Sequence, residues 1–223
     1  MTTEAARALT IDVVSDVVCP WCYIGKRRLE AALAALAARE PGRTPLVRWH
    51  PFQLNPDLPA NGIDRRTYLE TKFGGPARAA QIYERVRAAG RTVDIPFAFE
   101  AITRQPNTQS AHRLIAWAQS TAAADVVDDL VERLFRAYFL EGRFVGDPAE
   151  LVRIASECGL DAAAARALLD SDRFASEVRE SNERAQSAGI DGVPFFIFDG
   201  KVAVGGAQEP DVLLDAIAAT DRS

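Results

Sequence analysis

Leu9-Thr-Ile-Asp-Val-Val14 runs into Ser15-Asp-Val-Val-Cys-Pro-Trp-Cys-Tyr-Ile-Gly-Lys26, and this junction decides how the chain is built. The first six residues alternate and are rich in β-branched side chains, the pattern of a half-buried strand, with Ser15 and Asp16 as its boundary. Pro20 suits the first turn of a helix, where its missing N–H costs nothing. Ile24, Arg28, Leu29, Ala32, Leu33 and Leu36 continue at helical spacing to about Arg39, and Pro41-Gly42 stops the helix. Pro45-Leu-Val-Arg-Trp-His-Pro51 reads as a second short strand, so the chain opens with a β-α-β unit.

Beyond it the character changes. The stretch from Pro41 to Pro59 holds five of the 12 prolines and reads as a turn-rich exit from that unit. Residues 64–188 read as helical and Ala-rich. Val127, Leu130, Val131, Leu134, Phe135 and Tyr138 form an apolar stripe at helical spacing. Asp147-Pro-Ala-Glu150 has the form of a helix start, with an acceptor cap, Pro at the first position and Glu three residues after the cap. Leu151, Ile154, Ala155 and Cys158 share one face of that helix, and Gly159 ends it. Ser171-Asp172 can start another helix that runs to Gly189. Strand character returns at Pro194-Phe-Phe-Ile-Phe198; Asp199-Gly200 signals a hairpin turn, Lys201-Val-Ala-Val204 pairs back, and Pro210 opens a last helix. The pattern predicts an α/β fold: one mixed four-stranded sheet made from both ends of the chain, with an all-helical insertion. The expected domains are residues 1–60 with 189–223, and the insertion 61–188.

The bulk properties fit. Of 223 residues, 48% are apolar and 26% charged, an ordinary globular balance that excludes disordered and collagen-like chains. The net charge of −5 argues against broad nucleic-acid binding. No apolar run is long enough for a membrane helix, and Met1 to Thr10 lack the basic-then-apolar pattern of a signal peptide. Three cysteines make no disulfide framework and suit a reducing cytosol. The expectation is a cytoplasmic protein with neither nucleic-acid nor membrane partners.

Cys19 and Cys22 carry the chemistry. A dithiol at this spacing, placed where a strand meets a helix, puts Cys19 at the helix N-terminus, where unpaired N–H groups and the dipole favour an anion. The thiolate is the species that attacks a disulfide sulfur. Cys22 lies one turn on, facing the same side, and can resolve the mixed disulfide; Pro20 stiffens the loop between them. A zinc site would need a second ligand pair, and Cys158, His50 and His112 are isolated from one another, so no metal is expected. Gly192-Val-Pro194 precedes the C-terminal hairpin. A plain turn is the bland reading of its Pro; the sharper one is a cis peptide that presents the Val193 backbone as a platform beside Cys19.

Asp16-Val-Val-Cys-Pro-Trp-Cys-Tyr-Ile-Gly-Lys26, with Gly192-Val-Pro-Phe-Phe196, resembles the DsbA-like thioredoxin-fold oxidoreductases, and most of all their cytoplasmic FrnE-type branch. Pro51-Phe-Gln-Leu-Asn-Pro56, Asn107-Thr108, Ala111-His-Arg-Leu114 and Gly205-Gly-Ala-Gln208 share in the resemblance, which therefore spans nearly the whole chain. It implies a thioredoxin fold interrupted by a helical domain, Cys19 as nucleophile, Cys22 as resolving cysteine and Pro194 as a cis-proline facing them. The kappa-class glutathione transferases and 2-hydroxychromene-2-carboxylate isomerases are similar in layout but use Ser at the Cys19 position. Two departures stand out. Periplasmic DsbA proteins carry His where this chain has Trp21, so their strong oxidising power does not carry over. Many thioredoxin-fold proteins have a buried acid six residues before the first cysteine; here that residue is Val13, and Asp12 and Asp16 are the nearest acids. Asp12 has the opposite strand parity to Val13 and is expected to face elsewhere; Asp16 reads first as a loop or cap residue, with proton transfer as the minority role.

Cys158 is expected to be a packing cysteine. His112 reads first as a structural or solvent-facing histidine, and Asn107 and Thr108 as helix-start residues; a substrate groove formed by Asn107, Thr108 and His112 is the alternative. Val17, Val18, Trp21 and Tyr23 are expected to surround the dithiol with apolar surface, Trp21 exposed, which suits an extended peptide. The leading function is a thiol–disulfide oxidoreductase acting on disulfide-containing proteins or peptides, reset by a thiol donor or acceptor. It needs no cofactor beyond its own redox-active pair, with glutathione as a candidate co-substrate. A glutathione-dependent transferase or isomerase is the runner-up, and a non-enzymatic holdase the third reading.

Overall fold

A computed structural model describes residues 9–222. The segment Met1 to Thr10, expected to lack a signal peptide, lies outside the described residues except for Leu9 and Thr10. The chain opens with strand β1 (Leu9–Ser15), helix α1 (Pro20–Arg39) and strand β2 (Pro45–Pro51), as the opening pattern predicts. A helical stretch follows: α2 (Arg65–Phe73), α3 (Pro76–Arg91), α4 (Gln109–Thr121), α5 (Ala124–Phe139), α6 (Pro148–Glu157), α7 (Ala162–Leu169) and α8 (Ala175–Ser187). Two two-residue strands, β3 (Ile63–Asp64) and β4 (Arg104–Gln105), pair within it. The chain closes with β5 (Phe195–Phe198), β6 (Val202–Gly205) and α9 (Pro210–Thr220).

The two ends of the chain share one mixed sheet of order β2-β1-β5-β6. Strands β1 and β2 run parallel, while β5 is antiparallel to β1 with Val13 opposite Phe196. Asp199 (φ 49°) and Gly200 (φ 66°) both sit in the left-handed region, as the central residues of a turn between β5 and β6 that the Lys201 N–H closes onto Phe198 O at 2.9 Å. The Asp199 carboxylate also accepts from the Thr10 N–H at 2.8 Å, fixing the turn to β1.

One continuous apolar cluster runs from the sheet (Leu9, Ile11, Val13, Phe196, Phe198) into the helical stretch (Leu130, Leu134, Phe135). Tyr23 of α1 is the hinge between them. Its ring stacks on Phe135 at 5.0 Å, and its hydroxyl donates to Glu132 at 2.7 Å. Lys26, one turn further on and also buried, forms ion pairs with Glu30, Asp128 and Glu132. A buried cation needs partners of this kind to offset its desolvation.

Three local expectations are corrected. The helix foreseen from Ser171-Asp172 begins only at Ala175, after Phe174 in a left-handed conformation (φ 62°). The buried Arg113 guanidinium takes the carbonyls of Leu168, at the end of α7, and of Ser171 and Arg173, so the chain between α7 and α8 turns around it. The capping box at Asp147 is half formed: Asp147 accepts from the Ala149 N–H at 3.0 Å, but Glu150 pairs with Arg143 and Arg153 instead of turning back. Finally, Pro194 lies just outside β5.

Candidate active site

Strand β1 ends at Ser15, and a four-residue turn leads to Cys19, whose N–H donates to Asp16 O at 2.9 Å. Cys19 is the N-cap of α1, with Pro20 in the first turn, so the dithiol stands at the strand–helix junction. No helix N–H is hydrogen-bonded to the Cys19 side chain. Instead Cys19 Sγ donates to the Val193 carbonyl at 3.4 Å, and the Val193–Pro194 peptide is cis. The C-terminal loop is thereby laid against the first cysteine, 174 residues away in sequence.

Cys22 is only 1% exposed. Burial pushes its thiol well above the usual range, and a hydrogen bond with Cys19 and the charge of Cys19 push it further. The Ser15 side chain and the Asp16 backbone hydrogen-bond Cys22 and act the other way. Cys22 is therefore held as a neutral thiol until its neighbourhood changes.

The supporting shell contains residues whose roles sequence reasoning did not assign. Gly25 lets α1 approach the cis-proline loop: a Cβ there would stand 2.8 Å from Pro194 Cγ and 3.2 Å from Phe196 Cζ. The Gly206 N–H, in the left-handed region at φ 80°, donates to Pro194 O at 2.8 Å from the other side. Arg28 ties α1 to the same loop through the Ala207 carbonyl and Glu209, both at 2.5 Å. Both glycines sit in motifs that the sequence displays, but Gly25 acts on a neighbour more than 160 residues distant, and Gly206 on the loop just before its own hairpin.

Asp16 is completely buried. One carboxylate oxygen accepts from the Leu54 N–H at 2.8 Å; the other lies 3.3 Å from His112 Nε2, which is also 3.1 Å from Phe52 O. Nε2 faces only oxygen acceptors, so it carries a proton and Nδ1 is the basic atom of the neutral ring. Asp12 turns away, as its parity predicts, and meets His50 at 2.7 Å.

Of the candidate groove residues, Asn107 is half-buried. Thr108 and His112 are buried. Asn107 has its amide occupied: Oδ1 accepts from Gln53 Nε2 and the Gln109 N–H, while Nδ2 donates to Pro56 O and Leu58 O. These residues tie α4 to the loop after β2 instead of lining an open wall. The apolar collar is also smaller than expected. Val17, Val18 and Tyr23 are buried, and Trp21, 40% exposed, is the large apolar side chain left at the surface of that segment. Cys158 lies on the far α6 end, half-buried against the core, and burial raises its thiol to about 11.

The DsbA-like thioredoxin domain family model matches residues 10–218. Over 209 residues the chain is 27% identical to the uncharacterised protein YwbO of Bacillus subtilis, covering 93% of this chain and 95% of that one. Among solved structures it is similar to a probable DsbA oxidoreductase from Streptomyces coelicolor, with 31% identity, 96% and 91% coverage and a TM-score of 0.82. The fold is shared with the cytosolic disulfide reductase DsbM of Pseudomonas aeruginosa, at 20% identity, 96% and 98% coverage and a TM-score of 0.65; DsbM has also been solved with GSH.

Proposed function

Since the chain belongs to the DsbA-like thioredoxin domain family, we propose that it is a thiol–disulfide oxidoreductase in which Cys19 is the nucleophile and Cys22 the resolving thiol. The observation that carries this reading is the placement of Cys19 at the start of α1, in contact with Cys22 on one side and with the Val193 carbonyl at 3.4 Å on the other. Cys19 attacks a substrate disulfide, forming a mixed disulfide and releasing one substrate thiolate. Cys22 then attacks Cys19 Sγ, the second substrate sulfur leaves as a thiolate, and the Cys19–Cys22 pair is left oxidised. Trp21 offers apolar surface beside the pair, and Pro20, Val193 and Pro194 fix its approach. In this reading the substrates are disulfide-containing proteins or peptides.

Glutathione is the thiol donor that resets the pair in this reading, by analogy with DsbM, and the compartment is a reducing cytosol, where such a pair stays mostly as the dithiol. Reduction or isomerisation of disulfides is then favoured over net oxidation. Among the described residues no helix is long and apolar enough to cross a membrane. The test is insulin reduction with glutathione as donor. Cys19→Ser is expected to abolish turnover, and Cys22→Ala to accumulate a mixed disulfide on Cys19. Full turnover in Cys19→Ser would end the reading; glutathione-dependent activity surviving Cys22→Ala would favour a transferase or isomerase.

A further inference from the structure

Cys22 must lose its proton to resolve the mixed disulfide, yet it is buried, and Val13, the β1 residue six positions before Cys19, cannot accept one. Ser15 can. Its hydroxyl hydrogen-bonds Cys22, and it lines a small cavity, with room for about one water, shared with His112, His50, Val17 and Trp49. His112 is held in place by Asp16 and Phe52 O through Nε2, which leaves Nδ1 to take a proton. Imidazole is the usual proton carrier near neutrality. His50 also borders the cavity and is 41% exposed at its side chain, giving a way out to solvent.

We propose that Ser15 and the Asp16-held His112 form the proton exit for the resolving thiol. The inference rests on the thiol–disulfide reading above. As Cys22 Sγ attacks Cys19 Sγ, its proton passes to Ser15 Oγ. Ser15 hands its own proton to a cavity water, and that water protonates His112. The Cys19–Cys22 bond forms and the bond from Cys19 to the substrate sulfur breaks. The two cysteines are oxidised, the substrate sulfur is reduced and leaves with the electron pair as a thiolate, and solvent protonates it. The ionisable side chains facing the imidazole or lining its cavity are Asp16 from the β1–α1 turn and His50 from β2; Asp12 of β1 meets His50 from outside the cavity.

The test is stopped-flow reaction of the reduced protein with the aryl disulfide DTNB. The first thionitrobenzoate released reports attack by Cys19, and the second reports resolution by Cys22. General acid–base assistance is worth about 10²- to 10⁴-fold. His112→Gln and Ser15→Ala are therefore expected to slow the second phase by about 100-fold and at least about 10-fold, with the first phase within about twofold of wild type. Ser15→Thr, which keeps the hydroxyl, is expected to restore the second phase. Circular dichroism and thermal melts confirm that each variant is folded. Should His112→Gln fail to fold, Ser15→Ala against Ser15→Thr decides alone. A second phase in Ser15→Ala within twofold of wild type, or equal slowing of both phases, overturns the proton exit. A missing first phase in the wild-type protein overturns the thiol–disulfide reading itself.

Discussion

Replacing Gly25 by Ala tests how the cis-proline loop is held against the dithiol. In an open helix Gly→Ala stabilises by about 0.8–1 kcal/mol, because Ala has less backbone freedom to lose. Here the added Cβ would meet Pro194 Cγ at 2.8 Å, Phe196 Cζ at 3.2 Å and Pro194 Cβ at 3.4 Å. Optimal carbon–carbon contacts lie at about 3.5–4.0 Å, so the first overlap approaches 1 Å. The offending atom belongs to a proline ring fixed to the backbone, which cannot rotate away. Overpacking of this kind costs about 1–3 kcal/mol, and the rigid neighbour argues for the upper end. Set against the helical gain, the net loss is about 2 kcal/mol, or about 4–8 °C in Tm for a chain of this length. The same displacement moves the Val193 carbonyl away from Cys19, so insulin reduction should fall further than the unfolded fraction explains. Urea unfolding and the insulin assay at 25 °C measure both effects. Gly42→Ala, with nothing within 4 Å of the added carbon, is the control and should change neither quantity appreciably. A Gly25→Ala protein more stable than wild type, with unchanged activity, would refute the claim that Gly25 sets the distance between α1 and Pro194.

Two further outcomes follow from the titrating groups. Burial, then Glu132, raise the Tyr23 phenol to about 12 from its ordinary 10. A group raised on folding stabilises fully below its unfolded value and loses that contribution as pH rises through the folded one. The stability advantage of wild type over Tyr23→Phe, about 1 kcal/mol from the hydroxyl–Glu132 bond, should hold to about pH 10 and shrink between 10 and 12; urea unfolding at pH 8 and 11 measures it. An advantage that grows over that interval would contradict the assignment. With its thiol raised to about 11, Cys158 should react with iodoacetamide slowly at pH 8 and still be accelerating at pH 10, and Cys158→Ala should leave insulin reduction intact, as mass spectrometry and the turnover assay would show.

The sheet and its helices were legible because their signals are local. Alternation from Leu9 to Val14, Pro20 with Pro41-Gly42 around one helix, and the Asp199-Gly200 turn each constrain the backbone within a few residues, and each element forms nearly where its signal lies. Elements misplaced in the reading are those set by a distant side chain. Nothing near Ser171 announces that Arg113, some 60 positions earlier, takes the carbonyls a helix there would need. The same division holds for Glu150, whose spacing after Asp147 fits a capping box but whose carboxylate meets Arg143 and Arg153 instead.

The candidate site divides along the same line, and the division has a chemical consequence. Cys19 and Cys22 are neighbours in sequence because a single helical turn must present both sulfurs together. The groups proposed to take the proton, and those that pack against the cis-proline, need no such proximity, since they reach the dithiol through the packed interior. Asp16 illustrates the difference. As a residue of a turn before a helix it reads as a cap. With no exposure, bonded to Leu54 N–H and facing His112, it is instead a buried carboxylate whose charge orients an imidazole drawn from α4. A buried charge without partners costs several kcal/mol, so removing either member of this pair would leave the other uncompensated between the helical stretch and the dithiol turn. The helical stretch thus supplies the dithiol with polar groups that the strand beneath it, ending Val13-Val-Ser15, offers only through one hydroxyl.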